Sequence, residues 1–411
     1  MKRHRRRIAL DIDSLAAGGD GVGRDAEGRV TFVPRAVPGD KLLVQLVDER
    51  KQFARASVVE VLQASEHRVE DRCGYFARGE CGGCQWQHVA QELQRTAKEA
   101  IVDNALRRSL DRGLERKPLL EPCPPLGWRR RARLSYWARG PLVLGFFAPR
   151  SQKITDIEQC PQFEPALQRG FDLVREHLLP GLRDKGEIEL LLAEDGRVHV
   201  SVHGPADPKA VQALAAEASI AGVVHGKKVH GQAEVMLEFG VAASSSRFAQ
   251  ASRSGNIALC EEVAAAVGEL AGKRVLELYA GSGNFTRLLA EAAQVVAVEH
   301  SPPPASGLPA DVGANTEWQE AEVLEACDAL RAASASFDLV LLDPPRTGAR
   351  DVLDAIVALG PERIVYVSCD VATLARDIEQ LHEQGYTATC AQPINMMPQT
   401  SQVELVVVLE R

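Results

Sequence analysis

The spacing of apolar and polar residues divides this chain into three regions. In the first, apolar and polar positions alternate over short runs separated by turn residues, a pattern typical of β-strands. The runs predict strands over residues 7–13, 29–33, 41–47 and 54–61. Strands so short and so closely spaced favour a small OB-like barrel over residues 1–63.

The second region mixes helical and strand patterns. Apolar residues spaced for one helix face predict a helix over about 89–111, within a segment 89–118 that we expect to pack on the C-terminal domain. Residues 64–88 and 119–240 are expected to form a central α+β domain. Its predicted elements are strands near 133–136, 142–147, 188–192 and 198–202 and a helix over 207–218.

In the third region, residues 241–411, helices and strands alternate, which predicts a doubly wound, mostly parallel sheet. The predicted strands cover 274–278, 295–299, 337–342, 363–367, 387–390 and 403–409, and the predicted helices cover 256–270, 284–292, 351–359 and 371–384. The expected fold is therefore multidomain α/β, with an OB-like β-barrel, a central α+β domain and a C-terminal Rossmann-like domain.

Composition and charge exclude several classes of protein. With 45% hydrophobic and 25% charged residues in a chain of 411, disorder and coiled coil are excluded as the main state. No apolar run approaches the roughly 18 residues of a membrane span, and no apolar segment of a secretory signal follows the basic residues 1–7. We therefore expect a cytoplasmic monomer without a membrane partner. The net charge of −8 argues against a protein that coats nucleic acid, but it leaves room for a local basic face.

A glycine-rich turn predicts a cofactor site. The apolar strand ending at Leu278 leads into Gly281-Ser-Gly283 and a predicted helix, and Glu299 ends the following strand. Such turns let a ligand approach the backbone, and an acid at the next strand end accepts hydrogen bonds from ribose hydroxyls. A dinucleotide site would need a third glycine, where this chain has Phe285 or Thr286. S-adenosyl-L-methionine is therefore favoured over NAD.

Two further strands end in residues that can do chemistry. Asp343 follows one strand, and Cys369 follows the next, just before a helix whose N-terminal dipole we expect to favour the thiolate. Glu404 precedes the last strand. Taken singly, such a cysteine is more often a small buried apolar residue, and such a glutamate is more often a surface acid.

Four of the nine cysteines predict a metal site. Cys73, Cys81 and Cys84 lie close together in the sequence, and Cys160 follows at a distance. An all-thiolate set of four suits either zinc or a [4Fe–4S] cluster, and spacing alone does not separate the two.

An arginine-rich stretch predicts an RNA-binding face. Between Trp128 and Arg150 there are six arginines, several aromatic residues and no acid before Arg150: the arginines are 129, 130, 131, 133, 139 and 150. Guanidinium groups pair with phosphates and aromatic rings stack on unpaired bases. The alternative is an ordinary solvated strand edge. The basic run Lys2–Arg7 is either a further phosphate contact or a simple tail.

The motifs, in this chain order, resemble the RNA uracil-5-methyltransferase family. The resemblance rests on Tyr279-Ala-Gly-Ser-Gly-Asn-Phe-Thr286, Asp343-Pro-Pro-Arg-Thr-Gly348, Ser368-Cys-Asp370 and Met396-Met-Pro398 with Glu404. Residues 20–24 and 31–40 are similar to the TRAM domain, an RNA-binding OB-like barrel. Gln399 and Gln402 stand where the family has histidines.

The resemblance implies an enzyme and its residues. It implies that Cys369 adds to C6 of a uridine, that C5 is then methylated, and that Glu404 removes the C5 proton. The implied cofactor contacts fall on Gln250, Tyr279, Gly281, Gly283, Asn284, Glu299 and Asp343. One branch of the family carries a [4Fe–4S] cluster, which implies that Cys73, Cys81, Cys84 and Cys160 hold one here.

The implied substrate is structured RNA, with 23S rRNA the first choice, and DNA is not expected. The alternatives are a tRNA uridine methyltransferase, an RNA-binding protein of this fold that has lost catalysis, and an NAD-dependent oxidoreductase.

Overall fold

The N-terminal domain is a six-stranded sheet. The computed structural model describes residues 6–302, 312 and 315–411, so Lys2–Arg5 and most of the run Pro302–Gly307 lie outside the described residues. The strands are β1 (Arg7–Asp11), β2 (Ser14–Leu15), β3 (Gly21–Arg24), β4 (Val30–Val33), β5 (Lys41–Glu49) and β6 (Phe53–Gln63), in the order β1-β5-β6-β4-β3-β2. Gly23 of β3 lies against the Asp11 carbonyl at the end of β1. The two ends of the sheet therefore curl toward each other, which agrees with the expected barrel-like shape.

Residues 64–118 connect the N-terminal sheet to the rest of the chain, and Ile101, Val102 and Leu106 pack in the buried core of the C-terminal domain, as expected. This segment contains α1 (Gly74–Ala77), α2 (Gln91–Ala105), α3 (Arg107–Asp111) and β7 (Glu115–Arg116). The predicted helix over 89–111 is thus present, although it is interrupted at Leu106. Strand β7 runs parallel to a strand of the C-terminal sheet, to which it adds an edge.

The central domain is a seven-stranded sheet covered by helices. Its elements are β8 (Arg131–Trp137), β9 (Val143–Phe147), β10 (Ile154–Asp156), α4 (Pro165–Leu173), β11 (Lys185–Leu192), β12 (Val198–His203), α5 (Pro208–Ala215), β13 (Ile220–His225) and β14 (Lys228–Gly231). The order is β10-β9-β8-β11-β12-β13-β14. All four predicted strands and the predicted helix α5 are confirmed, and a short hairpin of β15 (Val235–Met236) and β16 (Ala242–Ala243) follows.

The C-terminal domain is the expected doubly wound sheet. It contains α6 (Arg253–Val267), β17 (Arg274–Leu278), β18 (Gln294–Glu299), β19 (Thr316–Glu320), α7 (Val323–Ala332), β20 (Leu339–Leu342), α8 (Leu353–Ala358), β21 (Arg363–Ser368), α9 (Val371–Glu383), β22 (Thr387–Ile394) and β23 (Glu404–Glu410). The sheet order is β19-β18-β17-β20-β21-β23-β22-β7. The chain passes from β17 to β18 on one side and later to β20 on the other. The carboxyl ends of these parallel strands therefore border the crevice where ligands bind in such sheets.

One predicted helix is wrong. Instead of a helix over 284–292, the chain forms only the 3-10 turn Thr286–Leu289 after the glycine-rich turn. Gly281 and Gly283 both have positive φ, and the backbone N–H of Ala293 already bonds to Lys273 at the start of the next strand pair. The backbone N–H groups of Leu288 and Ala292 donate to the carbonyls three residues earlier, Phe285 and Leu289, which is the 3-10 pattern and not the α-helical one.

The central strands of the C-terminal sheet are almost entirely apolar on both faces, because helices cover both sides, whereas the edge strands β19 and β7 are polar. Every residue of β20 is buried, as is nearly every residue of β17 and β21. In the described ranges, no helix has both the length and the apolar character needed to cross a membrane.

Candidate active site

The predicted catalytic and cofactor residues gather at the carboxyl ends of neighbouring strands. Tyr279 follows β17, Glu299 ends β18, Asp343 follows β20 and Cys369 follows β21. Because β18, β17, β20 and β21 are adjacent and parallel, these side chains border a single crevice.

The glycine-rich turn is held by Glu299. Its carboxylate oxygen Oε2 accepts a hydrogen bond from the backbone N–H of Gly281 at 2.9 Å. Tyr279 has a φ of 62°, which is costly for a residue with a large side chain. Strain of this kind persists only where the surroundings enforce it, and it is concentrated at ligand sites.

A pocket beside this turn brings together most of the predicted cofactor contacts. Gln250, Tyr279, Gly281, Asn284 and Asp343 all line it. Gly283 and Glu299 are not among its lining residues, although Gly283 bonds back to Ala280 within the turn that forms one wall.

The pocket also has a polar wall that sequence reasoning missed. Buried Arg130 pairs with Glu238, and the amide of Asn256 donates to Glu238 at 2.6 Å. Asn256 and Asn284 exchange side-chain hydrogen bonds, each 2.9 Å long. The arginine also donates to the Gln250 carbonyl at 2.9 Å. Residues from the central domain thus fix two predicted cofactor contacts of the C-terminal domain, and no local pattern in the sequence signals that link.

Burial makes several acids of the site weak. It raises the pKa of Asp343 to about 7. It also raises the pKa of Glu277 to about 8, with the charges of Asp343 and Glu299 adding to the effect. Neither side-chain oxygen of Glu277 makes a hydrogen bond of ordinary length among the described residues.

Cys369 and Glu404 face each other across two strands. Strand β21 pairs antiparallel with β23, and the last pair in the register is Ser368 with Leu405. Continuing that register by one position places Cys369 opposite Glu404. Side chains of directly opposed residues lie on the same face of a sheet. Glu404 is 5% exposed, whereas Cys369 is only half-buried, so the thiol remains open to the crevice.

The thiol is a weaker acid than the sequence led us to expect. Burial, together with the charges of Glu404 and Asp343, raises the pKa of Cys369 to about 11, while Arg346 opposes the change. The free N–H groups of helix α9 do not serve the thiolate, because the Asp370 side chain accepts from Ala372 and Thr373. Burial likewise raises the pKa of Glu404 well above its ordinary value, again with Arg346 opposing.

Two of the four predicted metal cysteines, Cys81 and Cys84, line a pocket between the N-terminal and central domains together with Asp20 and Pro149. Burial raises the pKa of Cys84 to about 12 and that of Cys160 to about 11, and nearby thiols of the same group contribute to both shifts. Backbone N–H of Gly83 donates to Sγ of Cys81 at 3.4 Å. Within the described residues, however, no group of three or more cysteine, histidine or acidic side chains has the spacing of a formed metal site.

The arginine face stays a prediction, although the structure gives most of its arginines acidic partners and buries one of them. Arg130 is buried against Glu238, and four others pair with carboxylates: Arg131 with Glu189, Arg133 with Glu187, Arg139 with Asp184 and Arg150 with Asp20. Most of these acids belong to β11 or the loop before it, so the local stretch gave no sign of them. Arg129 instead stacks on Trp128, 4.8 Å from the ring centroid, and Trp137 and Phe147 are exposed.

Both the N-terminal and the C-terminal domain are similar to known protein families. Residues 314–411 match the family model tRNA (Uracil-5-)-methyltransferase, and residues 2–59 match the TRAM domain. The crystal structure of Pyrococcus abyssi tRNA (uracil-54, C5)-methyltransferase in complex with S-adenosyl-L-homocysteine has a TM-score of 0.72 to this chain. It covers 98% of this chain and 100% of its own at 22% identity, so the two proteins share the fold.

Sequence relatives cover almost the whole molecule. A Photorhabdus laumondii protein named 23S rRNA (uracil(1939)-C(5))-methyltransferase RlmD is 33% identical over 98% of this chain and 96% of its own length. A Klebsiella pneumoniae protein of the same name is 34% identical over 98% of this chain and 96% of its own length. The chain therefore belongs to the RNA uracil-5-methyltransferase family.

Proposed function

We propose that this protein transfers a methyl group from S-adenosyl-L-methionine to C5 of a uridine in structured RNA. The observation that carries the proposal is the placement of Cys369 opposite Glu404, beside a pocket at the carboxyl ends of the parallel strands. A dinucleotide-dependent oxidoreductase would have no use for this pair of groups.

The two groups divide the chemistry between them. Uracil C5 is too weak a nucleophile to take a sulfonium methyl group directly. Cys369, as a thiolate, adds to C6, and the electron pair displaced from the C5–C6 double bond makes C5 nucleophilic. C5 then takes the methyl group from the cofactor, whose sulfur leaves with the bonding electrons. Glu404 removes the C5 proton, the C5–C6 double bond re-forms and the C6–S bond breaks.

Burial opposes the deprotonated forms of Cys369 and Glu404, which the reaction needs from both groups. The pKa of Cys369 is raised by burial and by neighbouring carboxylates, so the free thiolate is scarce at neutral pH. Arg346 lowers the pKa of both Cys369 and Glu404. We therefore assign Arg346 the role of stabilising negative charge in this part of the crevice.

We further propose that the cofactor lies in the pocket lined by Gln250, Tyr279, Gly281, Asn284 and Asp343. Asp343 and Glu299 are acids suited to an ammonium group and ribose hydroxyls, and the amides of Gln250 and Asn284 suit the adenine or carboxylate edges. The polar wall built on Arg130 and Glu238 keeps Gln250 and Asn284 in place.

Ribosomal RNA is the substrate we favour. The relatives named as 23S rRNA methyltransferases are 33% and 34% identical to this chain, whereas the tRNA enzyme of known structure is 22% identical. The TRAM domain and the exposed Trp137 and Phe147 supply surfaces on which RNA can dock and bases can stack. The target uridine must leave its stack, which costs least in a loop.

The proposed [4Fe–4S] cluster uses Cys73, Cys81, Cys84 and Cys160. Four thiols that are close enough to affect one another's acidity form a donor set that suits an iron–sulfur cluster or zinc. The methyl transfer requires no electron, so the cluster's contribution would be to hold the cysteine segment in shape.

Methyl transfer to RNA from cells lacking the protein tests the proposal directly. When the purified protein and labelled S-adenosyl-L-methionine are added, we expect one labelled 5-methyluridine to form in the 23S rRNA of these cells. RNA from cells that have the protein should take up no label, because its target uridine is already methylated. Methylation of tRNA alone would favour the tRNA alternative. Cofactor binding without transfer to any RNA would favour a protein that has lost catalysis.

A further inference from the structure

A fully buried lysine is bonded to the loop that carries the proposed base. Lys98 lies on helix α2 and is 0% exposed. Its ammonium donates to Oδ1 of Asn395 at 2.5 Å, to the Met397 carbonyl at 3.2 Å and to the Gln402 carbonyl at 2.8 Å. An ammonium group has three protons to donate, and here all three go to the loop between β22 and β23.

The three acceptors are distributed from the beginning to the end of this loop. Asn395 directly follows β22, and Gln402 lies two residues before Glu404 at the start of β23. One buried group therefore ties both ends of the base loop, which we define as residues 395–403, to a helix almost 300 residues earlier in the sequence.

Burial of a lysine with no carboxylate bonded to it is costly. It lowers the pKa of Lys98 to about 7, although Glu121 and Cys123 oppose the change. Lysine is almost never fully buried unless its donors are satisfied, and an apolar residue would fill this helix position at lower cost. The hydrogen bonds to the loop therefore have to offset the free-energy cost of burying the ammonium group.

A second residue of the same helix holds the middle of the base loop. The side-chain amide of buried Gln94 donates to Oε1 of Gln399 at 3.0 Å and accepts from the backbone N–H of Gln399 at 3.1 Å. Gln399 has a φ of 66°, a conformation that is uncommon outside glycine. Its carbonyl accepts from the backbone N–H groups of Gln85 and Trp86, both at 3.0 Å.

We propose that Lys98 and Gln94 are positioning residues for Glu404. The inference rests on the proposed function, in which Glu404 acts after the methyl group has been transferred. A loosened base loop should slow removal of the C5 proton, and it should leave cofactor binding and the first addition of Cys369 largely unchanged. The covalent enzyme–RNA adduct should then persist.

The experiment compares Lys98→Met and Gln94→Met with the unmodified enzyme. Each variant receives RNA and labelled cofactor, reactions are stopped in denaturant, and both the released 5-methyluridine and the protein–RNA adduct are counted. A misplaced catalytic group costs about tenfold to a hundredfold in rate. We expect product release to fall in this range, the share of enzyme held as adduct to rise, and the affinity for S-adenosyl-L-methionine to stay within about twofold.

Arg95→Met is the matched control, since Arg95 is exposed on the same helix and the change also removes a positive charge. It should behave as the unmodified enzyme. Gln94→Met removes no charge, so it keeps the test valid if Lys98→Met does not fold.

Two results would overturn the inference: product release at the unmodified rate, or a fall of adduct and product in equal proportion. Glu404→Gln is run beside them. If Glu404→Gln itself yields no adduct, the assignment of the base is at fault. If it yields adduct and the two helix variants do not, only the positioning role is refuted.

Discussion

Replacing Glu277 by glutamine should stabilise the protein, and the gain over the unmodified protein should grow as pH rises. Glu277 lies on β17 and is 1% exposed. Neither carboxyl oxygen makes a hydrogen bond of ordinary length among the described residues, although the Thr286 hydroxyl is close enough to oppose part of the rise in its pKa. Burial and the charges of Asp343 and Glu299 raise its pKa from 4.5 to about 8. The folded protein therefore keeps a proton on Glu277 at pH 7, whereas the unfolded chain has lost it.

The sign and size follow from this difference. Between pH 4.5 and about 8 the folded state binds more protons than the unfolded state, so the free energy of unfolding falls as pH rises. The contribution of Glu277 is fully present below its unfolded pKa and is lost as pH rises through its folded pKa. At about 1.36 kcal/mol for each pH unit, the loss amounts to at most about 5 kcal/mol. Glutamine has a similar shape and does not titrate, so the variant escapes this loss.

Urea unfolding of the cofactor-free protein at intervals from pH 5 to pH 8.5 measures the effect. The gain in stability of Glu277→Gln over the unmodified protein should widen steadily up to about pH 8 and then level off. Glu325→Gln, an exposed change on α7, removes the same formal charge and serves as the control. A gap that does not change between pH 5 and pH 8 would refute the claim that Glu277 is buried in its neutral form.

Two other predictions concern the polar wall of the cofactor pocket and the four-cysteine site. Asn256→Ala removes one hydrogen bond from buried Glu238, which keeps its pair with Arg130, and both side-chain hydrogen bonds between Asn256 and Asn284. S-adenosyl-L-methionine should therefore bind about tenfold more weakly by calorimetry. An unchanged affinity would refute the role of the polar wall. Anaerobically purified protein should contain about four iron and four sulfide per chain, and Cys84→Ser should lose both. One zinc without sulfide would contradict the cluster but keep the four-cysteine site.

Much of the fold followed from local pattern. Apolar runs marked the parallel strands, and the place of Asp343 and Cys369 directly after such runs was enough to put them at one crevice. Glu404 is different: only the resemblance to a family singled it out from surface acids. The structure explains its position through the antiparallel pairing of β21 with β23, a pairing between distant segments.

The contacts that could not be predicted from the sequence join residues that are far apart in the chain. The arginines of β8 looked free because their carboxylate partners lie on β11. The thiolate-stabilising helix was a reasonable expectation until Asp370 proved to cap that helix itself. Lys98 fits the polar positions of an ordinary helix, and only the packed structure shows that it is buried against the base loop.

Covalent capture of RNA by the Glu404→Gln variant tests the central claim most directly. Because Glu404 acts after addition and methylation, this variant should stall with methylated RNA bound through Cys369. A denaturing gel should show a slow-migrating species that carries the labelled methyl group, and mass spectrometry should place the RNA on the peptide containing Cys369. The species should be absent from the double variant Cys369→Ala with Glu404→Gln. Absence of any adduct, together with continued methylation of RNA by Cys369→Ala, would contradict the account.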